Sequence, residues 1–318
     1  MTKIFGFDTS HIEKARELAL ACYSEERSVV TPLPKVDSIP DEAFKDFAAN
    51  GLGVTMFDGD RMLGFLCSEG FWDNAFDSTA KGIFVPIHAH GAVSEKRNSI
   101  YKRLYQAAAE IWVGKGITYH AISLYAHDSQ GIDAFFTCGF GLRCIDTIRP
   151  LANFKYPVCE GIVFKELTNP DAIKEIRHMK TALSLHLGES PCFMRSSSSD
   201  RENWIERTES RDSRLFAATY NGLLVAYIDT RDDGETFASH DKSMQNICGA
   251  FCLPEYRGKG IMQGLLNHVI TQLKDDDVTS LGVDFESFNL AASGFWLKHF
   301  TAYAYSVTRR IDECALMS

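Results

Sequence analysis

Subtracting 160 from the residue numbers of the second half of this 318-residue chain lays that half on the first without a gap. Glu255 and Arg257 fall on Glu95 and Arg97. Ile261, Leu265, Val269 and Leu273 fall on Tyr101, Tyr105, Ala109 and Val113. Leu281, Val283 and Phe285 fall on Ala121, Ser123 and Tyr125, and Phe295 falls on Phe135. One match of this kind carries nothing, but a register shared over about sixty residues restricts the chain to tandem copies of one domain. Length agrees, since 318 residues is about two domains' worth of chain. The expected boundary lies between Phe154 and Gly161, giving domains 1–155 and 160–318.

Each copy reads as short apolar strands alternating with helices. In the first, a strand at Lys3–Phe7 leads to a helix ending near Cys22, then a short helix at Asp41–Ala49 and a hairpin turned at Asp58-Gly59-Asp60. A strand over Phe84–Val93, a long helix over Lys96–Val113, a strand over Ile117–Tyr125 and a helix over Ser129–Cys138 follow, and Leu142–Ile148 closes the copy. The second copy repeats this order from Ile162. Asn169-Pro170-Asp171 starts its first helix, and its hairpin turns on Asn221-Gly222, a strong turn dipeptide. Its later elements are a strand at Asn246–Leu253, a helix at Gly258–Lys274, a strand at Ser280–Glu286, a helix at Leu290–Lys298 and a last strand at Thr301–Arg310. The expected class is α/β (α+β), each copy a mixed, mostly antiparallel sheet flanked by helices.

Composition narrows the function. A chain 45% hydrophobic and 24% charged folds into globular domains. Thirty-three Lys and Arg against 42 Asp and Glu leave a net charge of −9, which repels phosphate backbones and argues against nucleic acid as a partner. Nine cysteines without a Cys-x-x-Cys pair point to reduced thiols and no zinc site. His88-Ala89-His90 lacks a third ligand, so no metal is expected. The first residues lack an apolar signal core, and no apolar run reaches the ~18 residues of a membrane helix. A soluble, cytoplasmic chain without a membrane partner is expected, as monomer or homodimer.

The segment that carries chemistry is Leu253-Pro254-Glu255-Tyr256-Arg257-Gly258-Lys259-Gly260-Ile261-Met262, between an apolar strand and an amphipathic helix. A helix N-terminus offers unpaired N–H groups and partial positive charge, and glycines let the backbone approach an anion. The simpler alternative is a glycine-bearing turn that only joins strand to helix. No Gly-x-x-x-x-Gly-Lys-Ser/Thr motif is present. Gly258, Gly260 and Gly264 approach a dinucleotide fingerprint, with Asp284 downstream, but four residues separate them from the strand end.

With its strand and helix order, this motif resembles the GNAT superfamily of acyl-CoA-dependent N-acetyltransferases. The family signature Arg/Gln-x-x-Gly-x-Gly/Ala is matched by Arg257, Gly260 and, imperfectly, Met262. A second signature is matched by Asn289-Leu290-Ala291-Ala292-Ser293-Gly294-Phe295-Trp296. The first half resembles the same domain more faintly, through Asp133 to Phe140. The resemblance implies acetyl-CoA as acyl donor and a small-molecule or peptide amine as acceptor. It implies that main-chain groups of Phe251, Cys252 and Leu253 pair with the pantetheine arm, with an N–H near Cys252 holding the oxyanion. It further implies that Arg257, Gly258, Lys259, Gly260, Ile261 and Met262 take the pyrophosphate, and that Asn289 and Trp296 border the cofactor.

Trp296 stands where many members carry a proton-donating Tyr, and an indole is no general acid near neutral pH. Tyr303 and Tyr305 are candidate replacements. Glu286, ending its strand before Asn289, and Asp284, two residues earlier on the same side, are candidate bases; the plain alternative is a solvated strand end. Leu187 to Ser213 reads either as a polar loop and helix or as an acceptor lid. In the first half Asn98-Ser99-Ile100 replaces Gly258-Lys259-Gly260, Ser129 replaces Asn289 and Phe136 replaces Trp296. That half is expected to keep the fold without taking coenzyme A. Two rival functions remain open: a non-catalytic acyl-CoA sensor, and a transferase for longer acyl groups with Met262 lining a wider tunnel.

Overall fold

The computed structural model describes residues 2–157, 160–168, 172–209 and 212–317; the expected helix start at Asn169-Pro170-Asp171 lies outside the described residues. The first repeat runs β1 (Thr2–Gly6), α1 (Ile12–Val29), α2 (Asp41–Asn50), β2 (Val54–Asp58), β3 (Arg61–Leu66), β4 (Lys81–Val85), β5 (His90–Ala92), α3 (Arg97–Gly114), β6 (Ile117–Tyr125), α4 (Ser129–Thr137) and β7 (Gly141–Pro150). The second runs β8 (Ile162–Leu167), α5 (Ala172–Leu187), α6 (Ser198–Glu209), β9 (Arg214–Tyr220), β10 (Leu223–Arg231), β11 (Met244–Cys252), α7 (Ile261–Leu273), β12 (Ser280–Glu286), α8 (Leu290–Trp296) and β13 (Thr301–Arg310). The offset of 160 extends well past the motif region. It relates the starts of β1 and β8, of α1 and α5, and of β2 and β9, and both ends of β7 and β13.

Two compact units result, and their division does not follow the repeat boundary: residues 1–146 with 236–238 and 302–318 form one, and 147–235 with 239–301 the other. In the first unit β1, β2, β3 and β5 form an antiparallel sheet. β6 pairs parallel with β4 on one side and antiparallel with β13 on the other, Ala304 opposite Tyr125 and Arg310 opposite Tyr119. The strand expected over Phe84–Val93 is broken. Pro86 offers no N–H to a ladder, and its carbonyl accepts from the Ala89 N–H in a tight turn. The two halves, β4 and β5, join different sheets. The core holds Trp112, fully buried with its indole N–H donating to the Leu52 carbonyl at 2.8 Å, and also Val307 from β13.

In the second unit β8, β9, β10 and β11 pair antiparallel in that order, and β12 joins β11 parallel. The Asn221-Gly222 turn has positive φ at both residues, as a two-residue hairpin requires. Helices cover both faces of this sheet. Ile176 and Met179 of α5 pack with Leu215, Tyr227 and Phe251. On the other face His268 of α7 lies against Phe164 and Phe216. Gly264 lets α7 approach closely: a Cβ there would stand 2.4 Å from the Phe164 ring.

Because Val307 belongs to the first unit's core, Val307→Asp buries a charge there. Amide hydrogen exchange should rise in α3 and β6 of that unit, and a variant with exchange raised only in residues 160–300 would contradict this assignment.

Candidate functional site

The site starts from a mismatch between strands. β10 and β11 stay paired from Arg231–Asn246 to Ala226–Cys252, with a bulge that leaves Cys248 extra between Ile247 and Gly249. Among the described residues, β11 and β12 pair only from Met244–Ser280 to Ile247–Val283. Beyond that point the β12-facing edge of β11 carries backbone groups with no strand to bond.

Past β11 the chain makes a 3-10 turn at Pro254–Tyr256, and Arg257 turns back. Its Nε donates to the Cys252 carbonyl at 3.0 Å and its guanidinium lies over the Phe251 ring, 5.2 Å from the centroid. Gly258 and Gly260 follow with φ of +74° and +80°. Gly260 is doubly constrained, since a Cβ would stand 3.0 Å from the Pro157 carbonyl oxygen. α7 then opens at Ile261, and the N–H groups of Ile261, Met262 and Gln263 have no preceding helical turn to bond. Asn289 caps α8, its side chain accepting from the Ala292 N–H at 3.3 Å.

These elements enclose a cleft of about 380 Å³. Of the sequence-derived cofactor residues, Phe251, Cys252, Arg257, Gly258, Gly260, Ile261, Met262, Asn289 and Trp296 line it. Leu253 and Lys259 stand outside the lining. Leu253 is spent within the protein, its N–H on the Val225 carbonyl and its carbonyl on the Tyr256 N–H. Lys259 lies over the Tyr256 ring. Trp296 is buried edge-on between Phe295 and Phe300, with centroids 4.8 and 5.4 Å away. Tyr303 is in the first unit, buried, its hydroxyl 3.1 Å from Thr236 Oγ1.

The sequence marks no site role for four further lining residues with mobile protons: His186, Tyr256, Lys298 and His299. Tyr256 lies inside the motif, between the strand end and the glycines, where the local pattern assigns it no chemistry. His186 comes from α5, distant in sequence, and no local pattern marks it.

Asp284 and Glu286 lie just past the last β11–β12 pair, outside the cleft lining. The Asp284 side chain keeps substantial access to water. Even so, desolvation foremost, then the charges of Glu235 and Glu286, push its pKa up to about 7. The Cys248 and Cys252 thiols are pushed up to about 11, chiefly by burial, so neither supplies a thiolate nucleophile near neutral pH.

The same region of the first unit is filled by its own side chains. Arg97 repeats the arginine contact, its Nε donating to the Ala92 carbonyl at 2.9 Å, as Arg257 does to Cys252. Here, however, the guanidinium is buried against Glu25, Nη1 to Oε2 at 2.7 Å, with Asp128 at 3.5 Å. α3 begins at Arg97 itself, so the counterpart of the glycine loop is an added helical turn. Asn98, counterpart of Gly258, ties that turn to Asp133 at 2.6 Å.

Residues 181–300 match the family model described as Acetyltransferase (GNAT) family. Among solved structures, the chain resembles a GCN5-related N-acetyltransferase from Sphaerobacter thermophilus at 15% identity and a TM-score of 0.60, covering 97% of this chain and 95% of that one. It also resembles the glucosamine N-acetyltransferase region of a fungal multi-domain GH3 beta-N-acetylglucosaminidase at 16% identity and a TM-score of 0.51, covering 97% of this chain and 38% of that one. No curated protein matches the chain by sequence. Residues 181–300 are thus similar to the acetyltransferase (GNAT) family. They sit in a chain whose fold is GNAT-like over nearly its full length.

The raised pKa of Asp284 has a stability consequence. Between its ordinary 3.8 and about 7 the folded protein holds a proton that the unfolded chain releases, so this group works against folding increasingly as pH rises through that window. Asp284→Asn removes the effect. The variant's gain in Tm over wild type should be larger at pH 8 than at pH 5 in thermal unfolding, and an equal gain at both would contradict the shift.

Proposed function

We propose that the second unit transfers an acetyl group from acetyl-CoA to a primary amine of a small molecule or peptide by direct attack. The observation that carries this reading is the convergence, in one cleft, of the free β11 edge, the Arg257–Met262 loop and the α8 N-terminus. The loop and the first N–H groups of α7 suit a pyrophosphate, because two left-handed glycines bring main chain rather than side chain to the anion. The edge from Ala250 to Cys252 suits an extended amide-bearing arm, which can add to a strand as a further strand does. Arg257 holds loop and strand end together through the Cys252 carbonyl.

The amine must be neutral to attack. Glu286 and Asp284 are the candidate proton acceptors, directly or through water, and Asp284 with a pKa near 7 is suited to this work at neutral pH. Attack forms the C–N bond and the tetrahedral oxyanion, which a main-chain N–H near Cys252 would hold. Collapse breaks the C–S bond, and the amine proton passes to the carboxylate. A thiol of pKa about 8.5 leaves as thiolate with only a hydrogen bond to assist, so Trp296 in place of a tyrosine is compatible with turnover. Tyr256 and His186, both in the cleft lining, are further candidate donors to the sulfur. The high thiol pKa values of Cys248 and Cys252 favour direct attack over an acyl-cysteine relay. The filled arginine site of the first unit supports a reading in which that unit takes no coenzyme A there. Trp296 also suits a second reading, a sensor that binds acyl-CoA without turnover.

Calorimetric titration of acetyl-CoA should give one site per chain. Gly260→Glu and Met262→Glu, the second at a position with ordinary helical backbone, should both abolish it. Two sites would refute the reading of the first unit, and no binding to wild type would refute the whole proposal. Bound acetyl-CoA that releases no thiol with any amine would leave the sensor.

A further inference from the structure

The cleft has a second end, and it is cationic. α8 lines the cleft with Ala291, Gly294 and Phe295, three or four residues apart and so on one side of the helix. Lys298 and His299 continue that lining in the turn after α8, where their N–H groups bond the Phe295 and Trp296 carbonyls.

The connector from Asn153 to Pro157 fixes this end relative to the glycine loop. Phe154 lies against His299, ring centroids 4.6 Å apart, and its N–H donates to Asn267 Oδ1 of α7 at 3.1 Å. Three residues on, the Pro157 carbonyl oxygen stands 3.0 Å from where a Gly260 Cβ would be. Three residues of chain reach at most about 10 Å, so His299 and the glycine loop border a space that one nucleotide can span.

Arg149 packs on the same Phe154 ring, its guanidinium 4.8 Å from the centroid. It is buried, with Nε and Nη2 on the Pro150 and Ala152 carbonyls and Nη1 without a hydrogen-bond partner. Among the described residues no carboxylate offsets this charge. Burial lowers the Arg149 pKa, and burial foremost, then the charges of Arg149 and Lys298, lower that of His299. In the 160-residue register Lys298 and His299 fall on Cys138 and Gly139. The repeat whose glycine loop is replaced by helix therefore has no cation at either place.

We propose that Lys298 and His299 form a second anion subsite of the cleft, which takes the 3′-phosphate of the coenzyme A nucleotide while the glycine loop takes its pyrophosphate. The inference deepens the acyl-CoA reading above and rests on it. Lys298 brings a full charge and three donors, and His299, held between the rings of Phe154 and Phe295, brings a ring N–H. Arg149 adds positive charge beside them. A phosphate dianion relieves the mutual repulsion of these groups, and a donor that lacks it leaves the repulsion in place.

The test is calorimetric titration of coenzyme A and of 3′-dephospho-coenzyme A into the full chain. Coenzyme A should bind at least tenfold more tightly, with the advantage shrinking as salt is added. Lys298→Gln, at an exposed position, should cut the ratio at least threefold, and Lys298→Gln with His299→Gln should bring it below threefold. Affinity for dephospho-coenzyme A should stay within twofold of wild type in both variants, which shows the cleft intact. Lys298→Arg should keep the preference. Equal affinity of wild type for the two nucleotides, a ratio unchanged in the variants, or an equal loss of both ligands would overturn the subsite and leave the acyl-CoA reading standing. Binding of neither nucleotide to wild type would overturn both.

Discussion

The second unit's cleft depends on where a parallel strand pair stops. β12 follows β11 for four residue pairs and leaves it after Ile247–Val283. Everything at the site uses that parting. It frees one backbone edge of β11 from Cys248 to Cys252, and it puts Asp284 and Glu286 beside the opening. It also lets the chain return through Arg257 to a helix whose first N–H groups face the same space. A ladder continued for two more pairs would satisfy those backbone groups internally and leave nothing for a ligand to bond.

The two repeats show how little is needed to close such a site. Both keep the arginine and its hydrogen bond to a strand-end carbonyl, five residues back in each case. In the second repeat glycines hold the following loop open. In the first, Asn98-Ser99-Ile100 has no reason to leave helical geometry, so the helix starts four residues earlier relative to the repeat. The guanidinium then finds its counter-charge in Glu25, on α1. Burial turns the counterpart of the glycine loop into a structural ion pair, and the fold around it persists.

Much of this was legible in the sequence. Period-two and helical patterns located the elements, and the 160-residue register paired them. The loop from Arg257 to Met262 announced itself through its glycines, which have a purely local backbone reason to be there. Other features had no local cause. The break at Pro86 depends on two halves of one segment joining different sheets, and an apolar run does not say which neighbours it will find. Tyr303 looked available because its own strand says nothing of Thr236. His186 reaches the cleft only because α5 packs over Phe251. The β12 carboxylates could be placed by parity, but their crowding by Glu235 comes from a loop remote in sequence.

The place of β13 bears on how the protein is made. Its residues Ala304–Arg310 pair with β6, and Val307 completes a core otherwise built from the first 140 residues. A ribosome delivers that core's main body early and its closing strand after the whole second repeat has emerged. During that interval the edge of β6 is an unpaired template, open to any extended segment that meets it. The second unit has no such wait, because its strands from β8 to β12 arrive in one stretch. The unit begun first is therefore the one whose last strand is delivered last.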